Sequence, residues 1–415
     1  MQKISKQNKV YTLLVFLISP VVGLWLSFKN YNNSFSKNIL WAFCVYYGYT
    51  LVISSPDLDI DTNRLRDFFI DYTKYDSYSF SDLLSNFYAE DSWNTDVLSE
   101  FLRWLVSRFT SDYHIYFAVL GLVYGYFYSR NIFYLLNLAK SKINKDALIF
   151  IIMFGLVVGI WQINIFRFFT ATHIFFFGAI RYFLSGNKRF LIISVLSLFV
   201  HFSFLLPVFL LILYSILGDR PKLYYLFFVV SFIISEINIE YLRTIEIPFL
   251  PHVYEKKFLG YTSEAYVETI EGINSLDMNW YVVARKIAIK LVVLVTLSFA
   301  LLKNYASIKD SKLQSFLCFT LLIVGTSNFI SNVPSLDRFL TVSYLFVFGF
   351  LFFFFQNCVT NWFPRIRNLV IAALFLYAIV EIRIGFETIG LRTIASPILT
   401  ILLKEDIALI IIFKQ

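Results

Sequence analysis

Of 415 residues, 58% are hydrophobic and 20% aromatic, while only 15% are charged, against about a quarter charged in soluble chains. Runs such as Ile192 to Ile216, with one His and no Lys, Arg, Asp or Glu, exceed what a soluble core absorbs, so the chain reads as a polytopic membrane protein. The net charge of +8 is scattered between apolar runs rather than gathered on one face, which argues against nucleic acid as a partner.

Apolar windows sized to a hydrocarbon layer of about 30 Å fall in chain order near 10–28, 38–55, 112–129, 146–163, 164–184, 190–217, 223–235, 281–302, 313–333, 337–356 and 368–384. They predict an all-α integral membrane bundle of about eleven spans, forming one domain over residues 1–415. No cleavage pattern follows the first segment, which is expected to be retained. It either starts outside or dips in and out around Pro20. Segment 190–217 has basic loops at both ends and is too short for two full spans. We read it as a bent or re-entrant pair breaking around His201 to Pro207, because proline removes a backbone donor.

Loop charge divides sharply. Residues 56–111 and 236–280 form two long acidic loops, the first carrying Asp57, Asp59, Asp61, Asp67 and Asp71 against Arg64, Arg66 and Lys74. Short loops are basic, as at Lys188 and Arg189 or Arg365 and Arg367. The positive-inside rule puts the basic loops in the cytoplasm and both acidic loops outside. The first loop is too aromatic for disorder. From Val97 to Phe109 its apolar residues recur at helical spacing, with Glu100, Arg103 and Arg108 between them, which predicts an amphipathic interfacial helix.

Ionisable groups in or beside spans mark functional sites. Arg167, Arg285, Arg338 and His201 all fall at outward ends of spans in this topology, whereas His173 lies deeper and reads as structural. Guanidinium groups match phosphate oxygens bidentately, so Arg167, Arg338 and Arg285 suit the diphosphate of a lipid whose tail stays in the bilayer. Tyr72, Tyr75, Tyr78, Trp93 and Tyr261 of the external loops offer aromatic faces and hydroxyls to sugars. No metal is expected: Asp57, Asp59 and Asp61 lack the glycine and distal glutamate of a calcium loop, and Cys44, Cys318 and Cys358 lack ligand spacing.

Four stretches together resemble the Wzy and EpsG group of bacterial polysaccharide polymerases. They are Asp59 to Arg64 (D-I-D-T-N-R), Asn164 to Thr172 (N-I-F-R-F-F-T-A-T), Leu198 to Ser203 (L-F-V-H-F-S), and Ser335 to Phe339 (S-L-D-R-F) with the tail Ser396 to Asp406. Phe168 stands where that family often has Gln or Asn. The resemblance implies a metal-independent membrane glycosyltransferase with no cofactor, located in the bacterial inner membrane. It would join oligosaccharide repeat units carried on undecaprenyl diphosphate, on the outer face. Membrane lipid and a chain-length regulator protein are the other implied partners. The arginines would neutralise the leaving diphosphate, and His201 or Asp61 would take the acceptor proton. A flippase of lipid-linked sugars is the main alternative. An acyltransferase or a monomer-transferring glycosyltransferase modifying a polysaccharide comes next.

Overall fold

The computed structural model describes residues 6–53, 61–74, 79–88, 96–139, 142–234, 260, 263, 279–309, 312–400 and 407–413. The chain is all-helical, and among the described residues the only extended pairing is an isolated bridge between Gly390 and Ala408. The helices are α1 (Lys6–Ile18), α2 (Pro20–Lys29), α3 (Ser36–Tyr49), α4 (Asp61–Lys74), α5 (Phe80–Tyr88), α6 (Val97–Ser107), α7 (Tyr113–Leu138) and α8 (Lys145–Val157). They continue with α9 (Phe166–Ser185), α10 (Arg189–Val195), α11 (Leu205–Leu217), α12 (Pro221–Ile233), α13 (Trp280–Ile308), α14 (Lys312–Ile330), α15 (Arg338–Asn357) and α16 (Phe363–Gly385).

Among the described residues, five stretches are long and apolar enough to cross a bilayer: 145–185, which contains α8 and α9, and the helices α13, α14, α15 and α16. The expectation of about eleven spans is therefore not matched by eleven full-length helices, because several apolar segments are broken into shorter pieces. The first is a hairpin. Chain breaks at Ser19, Pro20 opens α2 at a position where its missing N–H is harmless, and a Cβ on Gly23 would lie 2.8 Å from the Cα of Phe16. That approach is possible only if α2 folds back along α1. The first apolar segment is thus a helical hairpin that turns at Ser19 and Pro20.

Segment 190–217 is broken as well. The α10 arm packs on α9, where Ser194 Oγ donates to the Phe175 carbonyl at 3.1 Å. A 3-10 turn over Leu196–Phe199 carries it on to His201, whose ring lies edge-to-face on Phe168 near the start of α9 at 5.5 Å. The chain then reverses, and α11 brings Tyr214 to within 5.4 Å of the Phe183 ring near the end of α9. Both arms thus leave from one end of α9, and His201 sits at the tip. The extended residue is His201 itself (φ −152°, ψ 120°), while Pro207 lies in the first turn of α11, where no intrahelical donor is required.

The core is aromatic and built on α9, which buries fifteen of its twenty residues against α7, α8, α14 and α15. Phe168 meets Phe339, and Phe175 and Phe176 meet Phe346, so α9 and α15 run parallel and begin at the same end of the bundle. The closest helix pair is α3 with α7. Gly121 and Gly125, four residues apart on α7, let Cys44 approach so nearly that a Cβ at either position would meet it at 2.3 Å. This anchors the end of α7 on which α4 rests, where Phe69 stacks on Tyr116 at 4.6 Å.

Candidate functional site

At the end of the bundle where α7, α9 and α15 begin, a cleft of about 210 Å³ opens beneath α4 and α6. It is lined by Asp61, Arg64, Tyr72, Glu100, Arg103, Asn164, Arg167, Phe168, His201 and Arg338, among others. Residues from positions 61 to 338 converge here: Asp61 opens α4, Arg167 is the second residue of α9, Arg338 opens α15, and His201 is the re-entrant tip. Neither α9 nor α15 has a side-chain N-cap, so the positive ends of two twenty-residue helices add to the cationic field of their arginines.

The two arginines are held differently. Arg167 donates from Nη1 to Asp96 Oδ2 at 3.0 Å, yet its side chain remains 42% exposed, with further donors for a ligand. None of the described carboxylates pairs with the half-buried Arg338. Phe168 forms the floor between them, its ring against His201, Phe204 and Phe339. An aromatic floor gives the cleft an apolar base against which charge is felt more strongly.

His201 has a defined tautomer. Ser203 donates its backbone N–H to His201 Nδ1 at 3.2 Å, and the Ser203 hydroxyl lies 2.8 Å from the same nitrogen. A nitrogen that accepts a backbone N–H carries no proton, so the neutral ring bears its proton on Nε2 and serves as a donor.

The acidic wall is partly occupied. Glu100 receives Arg103 Nη1 on both carboxylate oxygens at 2.8 Å and the Tyr72 hydroxyl on Oε2 at 2.9 Å. Arg103 also lies over the rings of Phe68 and Tyr72. Burial alone would pull its pKa down, but the neighbouring Tyr116, Glu100 and Tyr72 outweigh that, and the guanidinium titrates above its ordinary range. Asp61 differs: its side chain is 26% exposed and its nearest cation, Arg64, stands 4.0 Å away. Asn164 adds a buried amide oxygen without a hydrogen-bond partner among the described residues.

The structure thus brings Asp61, Tyr72, Arg167, His201 and Arg338 together. Arg285 is elsewhere. It pairs with Glu381 at 2.7 Å on the seam between α13 and α16, beneath the Tyr377 ring, with both side chains largely buried. Arg285 is itself buried with its partner and does not line the cleft, so the structure does not bring it together with Arg167 and Arg338. His173 is fully buried, with Nε2 near the Tyr124 hydroxyl and the Val158 carbonyl. Tyr75, Tyr78, Trp93 and Tyr261 lie outside the described residues. Sequence reading missed Asp96 and took Glu100 and Arg103 only as polar positions of an interfacial helix, whereas the fold buries all three.

Long apolar helices among the described residues mark a multi-pass membrane protein, with a cleft at one end lined by Arg64, Arg103, Arg167 and Arg338. The chain belongs to the EpsG family, whose model matches residues 61–388 and so spans the cleft from Asp61 to Arg338 and beyond. That membership is consistent with a Wzy/EpsG-like polysaccharide polymerase and places the chain in polysaccharide biosynthesis. No curated protein and no solved structure matches it.

Proposed function

We propose that the protein joins oligosaccharide repeat units carried on a lipid diphosphate, undecaprenyl diphosphate by the family resemblance, at the outer face of the bacterial inner membrane. The observation that carries this reading is the convergence of Arg167, Arg338, two helix N-termini and Asp61 in one cleft. The acceptor hydroxyl attacks the anomeric carbon of the lipid-linked sugar while the bond from that carbon to the diphosphate oxygen breaks. The electron pair leaves with the diphosphate, where Arg167 and Arg338 neutralise it. The hydroxyl proton passes to Asp61, the exposed carboxylate of the cleft. His201 donates from Nε2 toward the reacting oxygens, and the Asn164 amide oxygen accepts from a sugar hydroxyl. Tyr72 stays on the sugar side, its hydroxyl fixed by Glu100.

A flippase would need charges along a path open to both sides, whereas the cations here gather at one end. The discriminating experiment is binding of undecaprenyl diphosphate and undecaprenyl monophosphate to purified protein by native mass spectrometry. Preference for the diphosphate that disappears in an Arg167→Ala/Arg338→Ala variant supports the assignment. Equal binding of the two lipids by the wild type removes it.

A further inference from the structure

We infer that Asp96 is a positioning residue, which sets Arg167 and the His201 tip in register for the diphosphate without touching substrate itself. The inference rests on the reading of Arg167 as a diphosphate ligand. The Asp96 side chain is only 5% exposed, and each of its oxygens has a separate task. Oδ2 accepts from Arg167 Nη1 on α9 at 3.0 Å, and Oδ1 accepts from the Phe202 backbone N–H at the re-entrant tip at 3.1 Å. A single carboxylate therefore bridges α9 and the tip of the bent segment beside the cleft. Its own place is fixed by the helix it precedes: it is the N-cap residue of α6, and its carbonyl accepts from Ser99 Oγ at 3.1 Å.

Three consequences follow from that geometry. Arg167 is tethered through one Nη, which sets the plane of the guanidinium while leaving donors for phosphate oxygens. The N–H of Phe202 is the one immediately after His201, so the same carboxylate fixes the peptide that aims the imidazole. Glu100 and Arg103, one turn or so further along α6, form the opposite wall, so the helix that carries Asp96 holds both sides of the cleft in one relation. A misplacement of about 1 Å in such a constellation can cost about a hundredfold in rate.

The test is a double-mutant cycle on kcat/KM, with detergent-solubilised protein and a defined lipid-diphosphate-linked repeat unit. Asp96→Asn keeps the shape but loses the charge and leaves one acceptor oxygen where the carboxylate has two. It is expected to lower kcat/KM about thirtyfold in the wild-type background and no more than about threefold in an Arg167→Ala background, where its main target is gone. Asp96→Glu serves as the second variant, with charge kept and reach altered, and is expected to show the same non-additivity. Thermal stability measured on each variant by size-exclusion chromatography is expected to match its Arg167-matched parent within a few degrees. Equal losses in both backgrounds would mean that Asp96 supports the fold alone, and would overturn the positioning role while leaving the diphosphate reading intact. Full activity of Arg167→Ala itself would overturn the underlying reading, and the positioning role with it.

Discussion

Replacing Arg338 with Lys isolates the phosphate contact. The guanidinium opens α15 at the cleft, and none of the described carboxylates pairs with it, so the change orphans no ion pair among the described residues. Charge is retained, the helix start is unchanged, and lysine reaches a headgroup layer as readily as arginine. What is lost is the planar fork. If Arg338 holds a phosphate bidentately, one of two charge-assisted hydrogen bonds goes, at about 1.5–3 kcal/mol. With 1.36 kcal/mol per tenfold, kcat/KM for polymerisation of a defined lipid-linked repeat unit should fall roughly 10- to 150-fold. The control is Arg189→Lys, an exposed residue at the start of α10, expected to leave kcat/KM unchanged. If the bond strengthens as the leaving group gains charge, the loss appears in kcat; if it is equal in both states, KM alone rises. Wild-type kcat/KM for Arg338→Lys would refute the bidentate assignment and leave the side chain a membrane-boundary anchor.

Asp61→Asn should reduce kcat by about 10²–10⁴ with KM within a few-fold of wild type, as expected for removal of a general base; unaltered kcat would return that role to another group. Gly121→Ala should destabilise the α3–α7 pair by about 1–3 kcal/mol, since its Cβ would press on the Cys44 carbonyl oxygen; a wild-type melting profile would show that the helices separate freely. In a Cys358→Ser background, which leaves the two buried cysteines Cys44 and Cys318, Asp82→Cys should react with an impermeant thiol reagent from outside and Lys188→Cys should not. The reverse pattern would place the cleft on the cytoplasmic side and sink the polymerase reading.

Composition alone makes the helical membrane fold legible, because apolar runs of span length leave no soluble alternative. Arg167, Arg338 and His201 were visible for a related reason: an ionisable side chain at a span boundary stands out against its background. The break in segment 190–217 could be read from its length and flanking charges, and the chain turns at His201, within the stretch from His201 to Pro207 where the break is expected. The partnership of Arg285 with Glu381 could not be read, since 96 residues separate them and each alone resembles a functional intramembrane charge. Asp96, Glu100 and Arg103 were hidden for the opposite reason. Charges in an acidic loop or on the polar positions of an interfacial helix are solvated by default, and only the packing of α6 against α4 and α7 shows these three to be buried. Segment 10–28 illustrates a third limit, because hydropathy reports apolar length but not whether the chain reverses within it.

The central claim is that the cleft forms glycosidic bonds at the expense of a sugar–diphosphate linkage, and the direct test uses purified protein with lipid-diphosphate-linked repeat units as the only substrate. Products are resolved by gel, and the released lipid diphosphate is counted by mass spectrometry. The account predicts a ladder of polymers with one lipid diphosphate released per bond formed, without nucleotide sugar. Repeat units recovered unjoined by an otherwise folded protein, or joined only when a sugar nucleotide or a lipid monophosphate sugar is supplied, would contradict it.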